Sequence, residues 1–158
     1  MKIYVASSWR NLLQPAVIVM LQKCGHEVYD FRNPKHGFSW REIHPDWENW
    51  TPQQYRDALE HPIAKEGFKS DIDALNACDA CVLVLPSGRS ASWEFGYSLG
   101  QGKSGAVVMF EQCEPELMYL GNPILTTPNE LFDWGGFNGD EQPHVEITVS
   151  QLEETDDD

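Results

Sequence analysis

The chain is short of positive charge. Its 158 residues carry 11 Lys and Arg against 25 Asp and Glu, a formal net charge of −14. A surface of that sign has no field with which to hold a polyanion, so a DNA or RNA polymer is excluded as a partner. Glu153, Glu154, Asp156, Asp157 and Asp158 crowd the end, and residues 151–158 read as a solvated, disordered tail. Long apolar runs are missing too. The opening Met1-Lys2-Ile3-Tyr4-Val5-Ala6 is interrupted at Ser7, Ser8 and Arg10, too early for a signal peptide. The longest later run, Ala80 to Leu85, falls far below the roughly 20 residues of a membrane span. The cysteines (Cys24, Cys78, Cys81, Cys113) are too sparse for a secreted disulfide scaffold. These absences predict a cytoplasmic protein with no membrane partner. Cys78-Asp79-Ala80-Cys81 is a CxxC, yet no second pair or HxxxH stands at ligand spacing. A helix end entering a buried strand accounts for it better than a metal, and none is expected.

What is present is globular: 41% hydrophobic and 23% charged residues, enough for one domain over residues 1–150. Strands are expected at 2–6, 27–31, 80–85, 105–110 and 124–126. Helices are expected at 9–24, from Thr51-Pro52, at 62–78, at 91–102, briefly at 115–120 and at 128–134. Gly25 closes the first helix, where a positive φ is wanted. Residues 144–149 suggest an edge strand. Alternating strands and helices, the strands apolar on both faces, predict an α/β fold. Its form is a doubly wound, Rossmann-like or flavodoxin-like, five-stranded parallel sheet covered by helices on both faces. Such sheets bind ligands at the carboxyl ends of their strands. That rule selects three loops: 6–10, 32–50 and 86–94. The second holds Trp40, Trp47 and Trp50 with no clean period, as a functional loop or lid would.

Glu94 is the leading candidate for chemistry. It follows a buried strand and the small residues Gly88, Ser90, Ala91 and Ser92, which leave a ligand room to reach backbone amides. Placed in the first turn of its helix, its carboxylate would be kept ionised by the free N–H groups there. Asp71 and Asp73 lie mid-helix, with Asp71 directed either toward the strand ends or to solvent. Asp79 suits a cap or turn at the entry to the third strand.

Three segments together resemble the nucleoside 2-deoxyribosyltransferase family: Tyr4-Val5-Ala6-Ser7-Ser8-Trp9-Arg10, the Asp71–Asp79 spacing, and Glu94-Phe95-Gly96-Tyr97-Ser98-Leu99-Gly100-Gln101-Gly102-Lys103. The resemblance spans residues 2–126. At the N-terminal loop it is nearest to the 2'-deoxynucleoside 5'-monophosphate N-glycosidase branch. It implies that Glu94 attacks C1' of a deoxyribose, that Asp71 contacts the sugar hydroxyls and that Tyr4 helps place the nucleophile. Ser8 and Arg10 would lie against the 5' end, in a substrate-binding loop with Ser7 and Trp9. It further implies a homodimer or higher homo-oligomer with shared active sites, completed by a segment like Pro115–Gly121 in which Met118 and Gly121 match. No cofactor is implied, since a carboxylate near C1' suffices to stabilise or trap an oxocarbenium-like centre.

Two positions depart from the family pattern. Gly88 stands where transferases carry an aspartate near the base, so hydrolysis is favoured over transfer. Acid assistance then falls to His44, Asp46 or Glu48. Glu116 replaces a phosphate-contacting serine and would repel a 5'-phosphate. The tryptophans of the second loop either stack on a base or pack on the sheet edge. Two other readings stay open: a TIR-like hydrolase of a nicotinamide–ribose bond, suggested by Ser92-Trp93-Glu94, and a nucleotide-binding sensor without turnover.

Overall fold

The first helix begins later than its apolar spacing suggests, because of Asn11 and Pro15. The Asn11 side-chain carbonyl accepts from the Leu13 and Gln14 amides at 2.7 and 3.2 Å, capping the chain there. Proline in the first turn then tolerates its missing N–H. Helix α1 is therefore Gln14–Lys23, and residues 7–13 form a loop where a helix from residue 9 was expected. The computed structural model describes residues 1–32 and 37–137. The expected edge strand at 144–149 and the acidic tail lie outside the described residues.

The other elements are β1 (Lys2–Ala6), β2 (Glu27–Tyr29), α2 (Pro52–Ala58), α3 (Pro62–Ala77), β3 (Ala80–Val84), α4 (Arg89–Gly100), β4 (Ser104–Val108), β5 (Ile124–Leu125) and α5 (Pro128–Gly135). Thr51 caps α2 with a reciprocal box to Gln54, the purpose that Thr51-Pro52-Gln53-Gln54 suggested. Residues 115–120 hold a single 3-10 turn at Leu117–Tyr119, and residues 37–50 two more, at Trp40–Glu42 and Trp47–Asn49.

The five strands form one parallel sheet in the order β2-β1-β3-β4-β5. Alternate strand residues feed two cores. Ile3, Val5, Val82 and Val84 pack with Val17, Leu21, Leu131 and Phe132 of α1 and α5. Tyr4, Ala6, Cys81 and Leu83 pack with Leu75, Ala91 and Phe95 of α3 and α4. This is the doubly wound α/β architecture that the strand–helix alternation predicts. Helix α4 lies very close on β4: a β-carbon at Gly105 would stand 2.7 Å from Leu99 and 2.9 Å from Phe95.

Such a sheet has its switch point between β1 and β3, where successive connections leave in opposite directions and open a crevice at the carboxyl ends. The crevice here is bounded by residues 7–13 and by the turn after β3, which includes a cis Leu85–Pro86 peptide. Asp79 takes the structural role expected of it, its carboxylate accepting from the Lys2 amide at 2.8 Å. In the CxxC, Cys78 closes α3 and Cys81 is buried in β3; burial pushes the Cys78 thiol up to about 11, far from a reactive thiolate. Among the described residues no His, Cys, Asp and Glu cluster could hold a metal, and no helix is long and apolar enough to cross a membrane.

Candidate functional site

A cavity of about 900 Å³ opens at the switch point, with Glu94 and Asp71 in its wall. Each is carried there by a different element. Glu94 comes from α4, whose N-cap is Gly88 and whose first helical residue is Arg89. The helix thus begins two residues earlier than expected, so Glu94 falls in the second turn and the first turn contains no acid. The expectation of a carboxylate kept ionised by the helix terminus is corrected accordingly, because that influence fades beyond the first turn. Burial dominates instead. It raises the Glu94 carboxyl to about 7, with the nearby Asp71 charge adding to the rise and the Tyr4 hydroxyl lowering it in part.

Asp71 sits mid-way along α3 and faces the strand ends. Its Oδ1 accepts from the Tyr29 hydroxyl at 3.1 Å. Asp73, two residues on, points out and pairs with Lys69 on the helix surface. Tyr4 is fully buried and stacks on Tyr29, ring centroids 5.0 Å apart and planes 18° from parallel. The two rings face one another because parallel pairing sets Tyr4 opposite Tyr29. Burial, then the Glu94 and Asp71 charges, raise the Tyr4 pKa, so it stays a neutral phenol. Among the described residues its hydroxyl has no partner at full hydrogen-bond geometry; it acts on Glu94 as a nearby donor. Tyr29 is pushed up to about 12, again chiefly by burial.

The loop after β1 divides its residues between scaffold and cavity. Ser7 and Trp9 line the cavity. The Ser7 hydroxyl also donates to the Val84 carbonyl at 3.0 Å, and the Asn11 amide donates to the same oxygen at 3.2 Å and to Pro86 O at 3.0 Å. Ser8 turns the loop by accepting from the Arg10 amide at 3.2 Å. Arg10 is exposed and does not reach the cavity within this chain. From the loop after β3, Ser90 lines the cavity and Gly88 caps the helix. Ser92 bonds back to the Gly88 carbonyl at 3.4 Å. Met118 lies away from the cavity and is 81% exposed.

The aromatic segment supplies the opposite wall. Trp40 and Trp47 line the cavity, while Trp50 packs edge-on against Trp40 at 5.7 Å. His44 is tied to the Asp46 amide at 3.1 Å, and Asp46 to Asn49. These two residues and Glu48 are exposed and stand outside the cavity, so the expected acids for a leaving base are not brought to it.

Several contributors went unread in the sequence: Tyr29, Arg32 and Arg89. Arg32 is the most instructive. Its Nη2 donates to the carbonyls of Ser8 and Asn11 at 2.7 and 2.6 Å, clamping the loop that carries Ser7 and Trp9. Trp9 meets Phe31 edge-on at 5.2 Å alongside. The available signal was position, since a cation just past the end of β2 is within reach of the loop after β1. Arg32→Gln should leave the fold intact and lower its stability by about 1–3 kcal/mol as two loop carbonyls lose a charged donor. Thermal unfolding measures that loss.

A parallel sheet ordered 2-1-3-4-5, with a carboxylate pair at its switch point, places the chain among the doubly wound α/β proteins that bind ligands at strand ends. No protein-family model and no curated protein matches it. Among solved structures it is similar to the 2-deoxyribosyltransferase of the psychrotolerant bacterium Bacillus psychrosaccharolyticus. The TM-score is 0.55 at 20% identity, over 84% of this chain and 91% of that one. The likeness establishes a shared fold across nearly the whole of both chains.

Proposed function

We propose that this protein cleaves the N-glycosidic bond of a 2'-deoxynucleoside, with the Glu94 carboxylate attacking C1'. The observation that carries the reading is the pairing of Glu94 and Asp71 in one cavity wall, beside the buried Tyr4 hydroxyl. A half-buried carboxylate titrating near neutrality suits a nucleophile that forms a glycosyl ester and then leaves it. Asp71 holds the sugar hydroxyls, and the Tyr4 phenol steadies Glu94 as charge moves through it. The structural neighbour, named a 2-deoxyribosyltransferase and described as a biocatalyst for making nucleosides, supports a nucleoside substrate.

Water is the acceptor in this reading. Gly88, at the N-cap of α4, offers no side chain with which to hold a second base. The 5' end is uncharged in this reading: Arg10 stands clear of the cavity, and the guanidinium of Arg89 in its wall is exposed to solvent. The test is to incubate the protein with 2'-deoxynucleosides and their 5'-monophosphates and follow free base by chromatography. Base released from the nucleosides supports the reading; release from none of them sinks it. An added free base that yields a new nucleoside would reassign the reaction as transfer.

The active protein is a homodimer. Leu117, Met118 and Leu120 are 79%, 81% and 84% exposed, a run of large apolar side chains beside a groove lined by Leu85, Met109 and Ile124. A second copy covering that run would bring its Met118 toward a neighbouring site. Met118→Asp should shift the protein to monomer in sedimentation velocity and reduce base release together; a dimer of unchanged stability would refute this role.

A further inference from the structure

Four tryptophans, Trp9, Trp40, Trp47 and Trp93, open onto the cavity that holds Glu94 and Asp71. Trp9 and Trp93 remain 53% and 54% exposed, large apolar surfaces left at the mouth for a ligand to cover. An indole face is the negative part of a quadrupole and attracts cations within about 6 Å of the ring. The formal charge that the described residues bring to the same cavity is two carboxylates against the single, exposed guanidinium of Arg89. Exposed indole surface and carboxylates therefore favour the same kind of ligand, one that is flat, apolar and positive.

The chemistry of departure points the same way. A neutral base must gain a proton as its bond to C1' breaks. His44, Asp46 and Glu48 lie outside the cavity, and Asp71 is engaged by Tyr29 at 3.1 Å. A base already quaternised at a ring nitrogen needs no proton, since the electron pair of the breaking bond cancels its charge.

Building on the N-glycosidic reading, we propose that the site selects deoxynucleosides whose base carries a fixed positive charge on a ring nitrogen, such as an N7-alkylated purine or an N-glycosyl pyridinium. As the C1'–N bond breaks, its electron pair passes to the base, which leaves neutral. A Glu94 oxygen bonds to C1', and water then displaces it. The products are neutral base, deoxyribose and one proton, which leaves to solvent through Glu94. A bound cation would also favour the ionised form of Glu94 that the attack requires, opposing the burial and the Asp71 charge that raise its pKa.

Two measurements decide it. Tryptophan fluorescence is titrated with 1-methylnicotinamide, a stable pyridinium cation, and with neutral nicotinamide. The cation should bind about tenfold more tightly, and that preference should shrink in Trp93→Leu, an exposed position whose replacement leaves the core intact. Release of base is then compared for N7-methyl-2'-deoxyguanosine, nicotinamide 2'-deoxyriboside and 2'-deoxyguanosine, each relative to its own spontaneous rate. An enhancement at least about tenfold greater for a cationic nucleoside supports the proposal, and the better of the two tells purine from pyridinium. Equal binding of the two nicotinamides overturns it. Equal enhancement for cationic and neutral nucleosides also overturns it but leaves the N-glycosidase reading standing. Cleavage of none of the three overturns the proposal, and the wider panel of neutral 2'-deoxynucleosides then decides the N-glycosidase reading by itself.

Discussion

Glu94→Gln should reduce release of base by about three orders of magnitude or more, while making the protein more stable at neutral pH. The loss follows because an amide cannot form the glycosyl ester, leaving only the binding and electrostatic help of the remaining site. The gain in stability follows from burial. The ordinary value of 4.5 for this carboxyl rises to about 7 in the folded chain. The folded protein therefore holds the Glu94 proton more tightly than the unfolded chain does. That preference stabilises fully below about pH 4.5 and is lost as pH rises through about 7, a cost on the order of 3 kcal/mol above it. Glutamine has no proton to lose. Denaturant unfolding at several pH values should show wild-type stability falling between about pH 5 and 7 relative to the variant, with the curves parallel at higher pH. A variant that retains activity would remove Glu94 from the chemistry; an unchanged pH dependence of stability would show that its carboxyl is not held near neutrality.

Asp71→Asn should cost about a hundredfold in kcat/KM and move the acid limb of the pH–rate profile to lower pH. The first effect is the loss of a charged acceptor for the sugar hydroxyls, worth about 2–3 kcal/mol. The second is electrostatic. Attack needs ionised Glu94, so wild-type activity should fall as pH drops through about 7. The Asp71 charge is one of the two influences raising Glu94, and its removal makes ionisation easier. Asparagine keeps a carbonyl oxygen to accept from Tyr29, so the local packing survives. A binding defect alone would lower kcat/KM without moving the limb. That split makes the pH profile the decisive readout.

The architecture was legible because it rests on short-range signals. Ala80–Val84 is a run of apolar residues with no break, and a strand buried on both faces needs nothing more. Thr51-Pro52 marks a helix start by its chemistry, and a capping box is there. The misread starts are those that depend on where a side chain turns. Asn11 caps the loop before α1, which periodicity does not record. With Gly88 as its N-cap, α4 begins at Arg89, two residues before Ala91, enough to carry Glu94 out of the first turn and replace stabilisation by the helix terminus with destabilisation by burial. The same carboxylate was identified in the sequence, but the reason for its behaviour was not. Tyr29 and Arg32 were harder to read for another reason, although the position of Arg32 past β2 offered a hint. Their partners, Asp71 and the carbonyls of Ser8 and Asn11, lie far along the chain or across the sheet, and only the pairing of β1 with β2 and the packing of α3 on the sheet bring them together.

One carbonyl has a consequence for how a substrate gets in. Val84 O accepts from both Ser7 and Asn11, and Arg32 grips the same loop from the other side. The floor of the crevice is thus riveted to the third strand and cannot swing aside without breaking several bonds at once. Among the described residues, the side facing it, with Trp40 and Trp47, is held to its surroundings mainly by ring contacts, such as Trp40 against Phe38, Trp50 and Tyr55, which can slide past one another. Traffic through the site should therefore use the tryptophan side as its door and the serine side as its fixed frame.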